Sequence, residues 1–195
     1  CPVLSGMGPL EEFGIEDVRV SKLDDDYLLT YSAVSDNGVG VGLRVTRDWQ
    51  AFTEYGMIIP PHNKDGVLFE QKINGYYACL NRPSGAYVGG HYMCYATSPD
   101  LRHWGHHACI AKTRAGIWDS VRVGAGAAPV LTDQGWLAIY HGCNEETRYC
   151  LGAMLLDRDD PTQVLARSDE PIMEPIADYE REGFFGNGVF SNGQI

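Results

Sequence analysis

Apolar and polar residues alternate in short runs along this chain, and a 3.6-residue period is weak everywhere. Three runs can be laid over one another: Asp25-Asp26-Tyr27-Leu28-Leu29-Thr30-Tyr31-Ser32, Asn74-Gly75-Tyr76-Tyr77-Ala78-Cys79-Leu80-Asn81 and Gln134-Gly135-Trp136-Leu137-Ala138-Ile139-Tyr140-His141. Each leaves a polar or glycine turn and enters an aromatic, apolar strand. A strand is expected before each, over 16–23, 67–73 and 127–131, and another after each, over 38–46, 92–98 and 148–157. The first two sets end in matched closes, Thr46-Arg47-Asp48-Trp49 and Ser98-Pro99-Asp100-Leu101-Arg102-His103-Trp104, where the third has Asp157-Arg158-Asp159-Asp160-Pro161. Only 178–182 suggests a turn of helix.

A repeat of about 50 to 60 residues suits four-stranded propeller blades. The expected class is therefore all-β, a β-propeller; a β-sandwich fits the repeated close less well. The 23 glycines and 10 prolines punctuate the short strands as such a fold requires. About three blades are present, and 188–195 reads as the opening strand of a fourth. Three are too few to close a ring, so residues 1–195 are expected to form a single propeller domain, incomplete at both ends. The start at Cys1 in place of methionine agrees with a fragment or a processed chain. Exposed blade faces would favour a homo-oligomer.

In a propeller the first strand of each blade borders the central channel, so polar residues there carry the candidate chemistry. The first blade offers Gly14-Ile15-Glu16-Asp17-Val18-Arg19-Val20. Strict alternation would put Asp17 and Arg19 on one face and Glu16 on the other. Charges on a dry face are costly unless paired or used; the plain alternative is a sheet-edge ion pair. The second blade brings Lys64, Asp65 and Arg82, and the third Trp118, Asp119, Arg122, Tyr140 and His141. Lys64, Arg82, Arg122 and His141 thus aim at one axis and are candidate anion ligands, since guanidinium groups suit phosphate. Spacing alone leaves open a structural network in which these cations neutralise Asp17, Asp65 and Asp119. Glu16, Asp65, Trp118, Asp119 and Tyr140 are candidate substrate-binding residues, Trp118 by stacking on a sugar ring. Gly124-Ala125-Gly126 reads as close strand packing, because no helix follows to make a phosphate loop. His62, His103, His106 and His107 read as loop or turn residues, and the four tryptophans, Trp118 excepted, as core.

Composition narrows the partners. A net charge of −11 disfavours nucleic acid but allows a small anion in a local basic pocket. No apolar run approaches a membrane span. The six cysteines, Cys1, Cys79, Cys94, Cys109, Cys143 and Cys150, form no C-x-x-C pair, so neither zinc nor another metal is expected, and a reducing cytoplasm is.

Several of these stretches together resemble glycoside hydrolase family 130: E-D-V-R, N-K-D-G-V-L-F, L-N-R-P, S-P-D-L-x-H-W-G, W-D-S-x-R-x-G-A-G-A, G-W-L-x-I-Y-H-G and Y-x-L-G-A-x-L-L-D. The resemblance implies a five-bladed β-propeller and, for most members, inverting phosphorolysis of β-mannosides, here mannosylglucose or β-1,4-mannooligosaccharides. It implies Asp17 as the proton donor, with the proton passing through a mannose hydroxyl. Lys64, Arg82 and Arg122 fall on the phosphate-binding positions. Inorganic phosphate is then the co-substrate and no cofactor is called for. The chain departs from the usual motifs at Val18, commonly proline, at Glu70-Gln71, at Arg122, commonly lysine, and at 186–189. A β-mannosidase of the same fold would need a carboxylate base, for which Glu70 and Glu145 are the candidates; a non-catalytic carbohydrate-binding propeller is the other alternative.

Overall fold

The computed structural model describes residues 4–85, 89–183 and 185–194; Cys1 and Ile195 lie outside them. Three antiparallel sheets follow one another along the chain. The first is β1 (Gly14–Leu23), β2 (Asp26–Ser35), β3 (Gly38–Thr46) and β4 (Thr53–Ile59), paired in chain order. The second is β5 (Asn63–Leu68), β6 (Tyr77–Pro83), β7 (Met93–Ser98) and β8 (Gly105–Ala111). In the third, β9 (Arg122–Ala125) and β10 (Val130–Thr132) both pair with β11 (Gly135–Cys143), which continues to β12 (Tyr149–Leu156) and β13 (Val164–Arg167). Since β10 pairs with the start of β11 and β9 with its end, the two are one opening strand broken at 126–129. These are three four-stranded blades of a β-propeller.

The opening strands sit differently from the expectation. The second blade's opening strand runs from Asn63 to Leu68, and in the third blade part of the 127–131 stretch is the break itself. The fourth strands escape an apolar scan because one face stays wet: Thr53–Ile59 alternates between exposed and covered positions before its last two buried residues. Segment 188–194 forms no ladder among the described residues; it makes one parallel bridge, Gly188 to Tyr149, and buries Val189. The helical turn is α1 (Asp178–Arg181).

The repeated close has a simple cause. Asp48 Oδ1 accepts the amide N–H groups of Gln50 and Ala51, both at 2.9 Å, and Asp100 Oδ1 those of Arg102 and His103 at 2.9 and 2.8 Å. Asp157 Oδ1 does the same for Asp159 and Asp160 at 2.9 Å. A short carboxylate that caps its own backbone turn is the general use of aspartate at such sites. These amide bonds hold the Asp48 and Asp100 carboxyls below the usual carboxylate range.

Blades meet through apolar side chains. Val41, Leu43 and Ile59 of the first blade pack with Leu68 and Cys79 of the second. Phe69, Leu80 and Met93 of the second pack with Val123, Trp136 and Tyr140 of the third, Phe69 meeting Trp136 edge-on at 5.0 Å. Of the tryptophans, Trp118 and Trp136 are core, whereas Trp49 is 43% exposed and leans on Tyr27. No helix among the described residues is long and apolar enough to cross a membrane.

The third blade also contains a sealed ionic network. Asp119, with no exposed surface, accepts from Arg167 Nη2 at 2.5 Å, Arg114 Nη2 at 2.9 Å and the Tyr140 hydroxyl at 3.0 Å. Trp118 stacks on Tyr140 at 5.4 Å and donates its indole N–H to the Asp169 carbonyl. Removing a buried partner strands the charges left behind. Asp119→Ala is expected to cost about 3–5 kcal/mol of stability, read as a lower unfolding midpoint in urea; an unchanged midpoint would contradict the network's role.

Candidate functional site

A cleft of about 730 Å³ opens where the opening strands of the three blades converge. Its first wall depends on a bulge. In the β1–β2 ladder Glu16 faces Ser32 and Arg19 faces Thr30, so Asp17 and Val18 together oppose one residue. Asp17 adopts a left-handed φ of 53° to make the extra step. The bulge resets the alternation: Asp17 and Glu16 are both exposed on the cleft, and Arg19 is 2% exposed. Asp17 and Arg19 therefore do not share a dry face, and their side chains are not an ion pair. The Arg19 guanidinium instead donates to the Asp17 carbonyl at 3.0 Å, holding the bulge, and to the carbonyls of Gly126 and Ala125 at 2.9 and 3.1 Å. No hydrogen bond or ion pair engages the Asp17 carboxylate among the described residues.

The second blade repeats the bulge. Lys64 faces Arg82 and Val67 faces Leu80, with Asp65 at a φ of 54°. Here the aspartate turns inward and is 4% exposed. It accepts from Arg82 Nε at 2.5 Å and Arg19 Nη2 at 3.3 Å, and His141 Nε2 lies 3.3 Å from its Oδ2. Burial pushes its carboxyl up, but His141, Arg82 and Arg19 outweigh burial and hold it well below the usual range. Lys64 stands at the rim, 3.7 Å from Glu16 Oε2.

From the third blade come Arg122, His141 and Tyr149. Arg122 Nη1 donates to the Tyr149 hydroxyl at 2.6 Å, while its buried Nε has no partner among the described residues. His141 is 2% exposed and packs against Phe190 at 5.2 Å, and its buried Nδ1 has no partner among the described residues. Gly124 explains why these groups can meet: a Cβ there would lie 2.1 Å from Asp65 Oδ2 and 2.7 Å from His141 Nε2. Close approach, not a phosphate loop, is its function. His91 bridges the second and third blades, with Nδ1 3.5 Å from Arg82 Nη1 and its carbonyl accepting from Val123 N–H. Burial, then Arg82 and Arg122, push its imidazole below the ordinary histidine range.

The cleft thus brings together Glu16, Asp17, Lys64, Asp65, Arg82, Arg122 and His141. It does not bring Trp118, Asp119 and Tyr140, which are committed to the third-blade network and do not line it. It adds Arg19, Tyr149 and Phe190, and also His62 from the loop before β5. Tyr149 was discoverable from register, since it pairs with Cys143 directly opposite Arg122. Phe190 carried no such signal. Among the described residues no group of three or more histidine, cysteine or acidic side chains is placed to hold a metal. What remains is an unengaged carboxylate lining one cleft with several N–H donors, suited to general-acid chemistry beside a bound anion.

Comparison with known proteins agrees over nearly the whole chain. The family described as beta-1,4-mannooligosaccharide phosphorylase matches residues 3–195. A β-1,2-mannobiose phosphorylase of Listeria innocua is 47% identical over 194 residues, which is 100% of this chain and 55% of the relative. The solved structure of a β-1,2-mannobiose phosphorylase from Listeria innocua with β-1,2-mannobiose superposes with a TM-score of 0.98, again over 100% and 55% of the two chains. A 1,2-β-oligomannan phosphorylase of Thermoanaerobacter is 38% identical over 98% of this chain and 64% of its own. A β-1,4-mannooligosaccharide phosphorylase of Ruminococcus albus is 35% identical over 89% and 53%. The chain spans between 53% and 64% of the length of these curated relatives. Blade architecture, cleft and these matches agree: the chain belongs to glycoside hydrolase family 130.

Proposed function

We propose that the protein is an inverting glycoside phosphorylase that cleaves β-mannosides with inorganic phosphate and releases mannose 1-phosphate. The observation that carries this reading is the unengaged Asp17 carboxylate opposite Lys64, Arg82, Arg122 and His141 in one cleft. In the proposed reaction a phosphate oxygen attacks the anomeric carbon from the face opposite the leaving sugar. The bond to the departing oxygen breaks, and Asp17 supplies the proton that oxygen takes. Phosphate replaces the water that a second carboxylate would activate in an inverting hydrolase, so one protein carboxyl suffices. The cations lessen repulsion between phosphate and the acid and stabilise charge as it moves. Arg122 spends Nη1 on Tyr149 and keeps its other terminal nitrogen for the anion.

The linkage we favour is β-1,2. The relatives at 47%, 38% and 34% identity are named for β-1,2-mannosides, and the one at 35% for β-1,4-mannooligosaccharides. The expected β-1,4-mannooligosaccharide and mannosylglucose substrates keep the support of relatives named for them, at 35% and 33% identity. A hydrolytic reading has less support: Glu70 accepts the Lys22 amide away from the cleft, and Glu145 borders a separate surface depression. The five described cysteines are free thiols, which suits the reducing cytoplasm.

The decisive assay uses protein from the complete reading frame on β-1,2-mannobiose, β-1,4-mannobiose and mannosylglucose, with and without phosphate. Mannose 1-phosphate should form only with phosphate, and fastest from β-1,2-mannobiose; free mannose without phosphate would replace this reading by a hydrolase. Asp17→Asn should lower turnover by about 10²–10⁴-fold with sugar binding retained, and unchanged turnover would refute the acid assignment. Arg122→Ala should raise the phosphate KM by about tenfold or more with a smaller effect on the mannoside KM. Equal changes in both would remove Arg122 from the phosphate site.

A further inference from the structure

Asp65 was a candidate substrate contact, but its surroundings leave it no such work. Both of its oxygens are spent: Oδ1 on Arg19, and Oδ2 on Arg82 and His141 together. These three side chains come from β1, β6 and β11, one in each blade, and all three line the cleft. Each gives only part of its capacity to Asp65. Arg82 turns Nε inward and keeps its outer nitrogens, one of them near His91 Nδ1. His141 turns Nε2 inward and keeps a buried Nδ1 that has no hydrogen-bond partner among the described residues.

We propose that Asp65 is a positioning residue for the anion site: one buried carboxylate oxygen draws Arg82 and His141 to a common point and so aims their remaining nitrogens at a single anion. This rests on the phosphorylase reading above. The backbone is shaped for that contact on two sides, by the left-handed bulge at Asp65 and by Gly124, where any Cβ would enter the contact. The role differs from charge neutralisation in a testable way. By charge alone, removing a carboxylate beside an anion site should strengthen anion binding. If Asp65 aims the donors, its removal should weaken binding, because unheld side chains must be ordered by the ligand itself.

The test is Asp65→Asn in protein from the complete reading frame, with folding checked by circular dichroism and steady-state kinetics varied in each substrate. The phosphate KM should rise by about tenfold or more while the mannoside KM stays within about twofold. A phosphate KM that falls or holds in the folded variant overturns the proposal. If Asp65→Asn does not fold, Gly124→Ala keeps every charge and pushes the carboxylate and imidazole apart. It should raise the phosphate KM selectively, and an unaltered value in the folded protein overturns the proposal equally. Wild-type protein whose turnover ignores phosphate would sink the phosphorylase reading instead. Calorimetric titration of the same variants with inorganic phosphate then decides the positioning role: weaker binding than wild type supports it, and equal or tighter binding, or none in wild type, overturns it.

Discussion

The contact between Arg19 and the broken edge of the third blade is the constraint on which the hub depends. A guanidinium at 2% exposure, in a strand from one blade, donates to the carbonyls of Ala125 and Gly126 in another. Those carbonyls lie at the end of β9, where the opening strand breaks off. Buried carbonyls without partners are costly, and a buried guanidinium without acceptors more so. Each satisfies the other, and the same side chain closes the Asp17 bulge through its carbonyl. Shape at the cleft and solvation beneath it are therefore settled by one residue.

Much of the architecture could be read from the chain because its cause is local. Alternating apolar strands, the turn before each and the aspartate that caps each close are all written in adjacent residues. The three segments 25–32, 74–81 and 134–141 correspond to β2, β6 and β11 with small shifts at their ends. What was not legible follows from bulges. A positive φ at Asp17 or Asp65 leaves no mark that separates it from an ordinary strand residue, yet it decides which side chain is wet. Alternation therefore misplaced Arg19 relative to Asp17.

The candidate site was legible in part. Lys64, Arg82, Arg122 and His141 share the cleft because they occupy matching strand ends, which a repeat reveals. Trp118, Asp119 and Tyr140 occupy equally suggestive positions but belong to an internal network, since Arg114 and Arg167 reach them from outside the repeated motif. Phe190 arrives from a segment that makes one bridge and no ladder among the described residues, so no periodicity could point to it.

The break at 126–129 bears on how such chains can diversify. A blade looks like a cassette, self-contained and exchangeable at its loops. Here the third cassette lacks part of its own first strand and borrows a side chain from the first to complete it. Swapping either one into a foreign ring would leave a cation or two carbonyls orphaned, so the pair can be inherited only together.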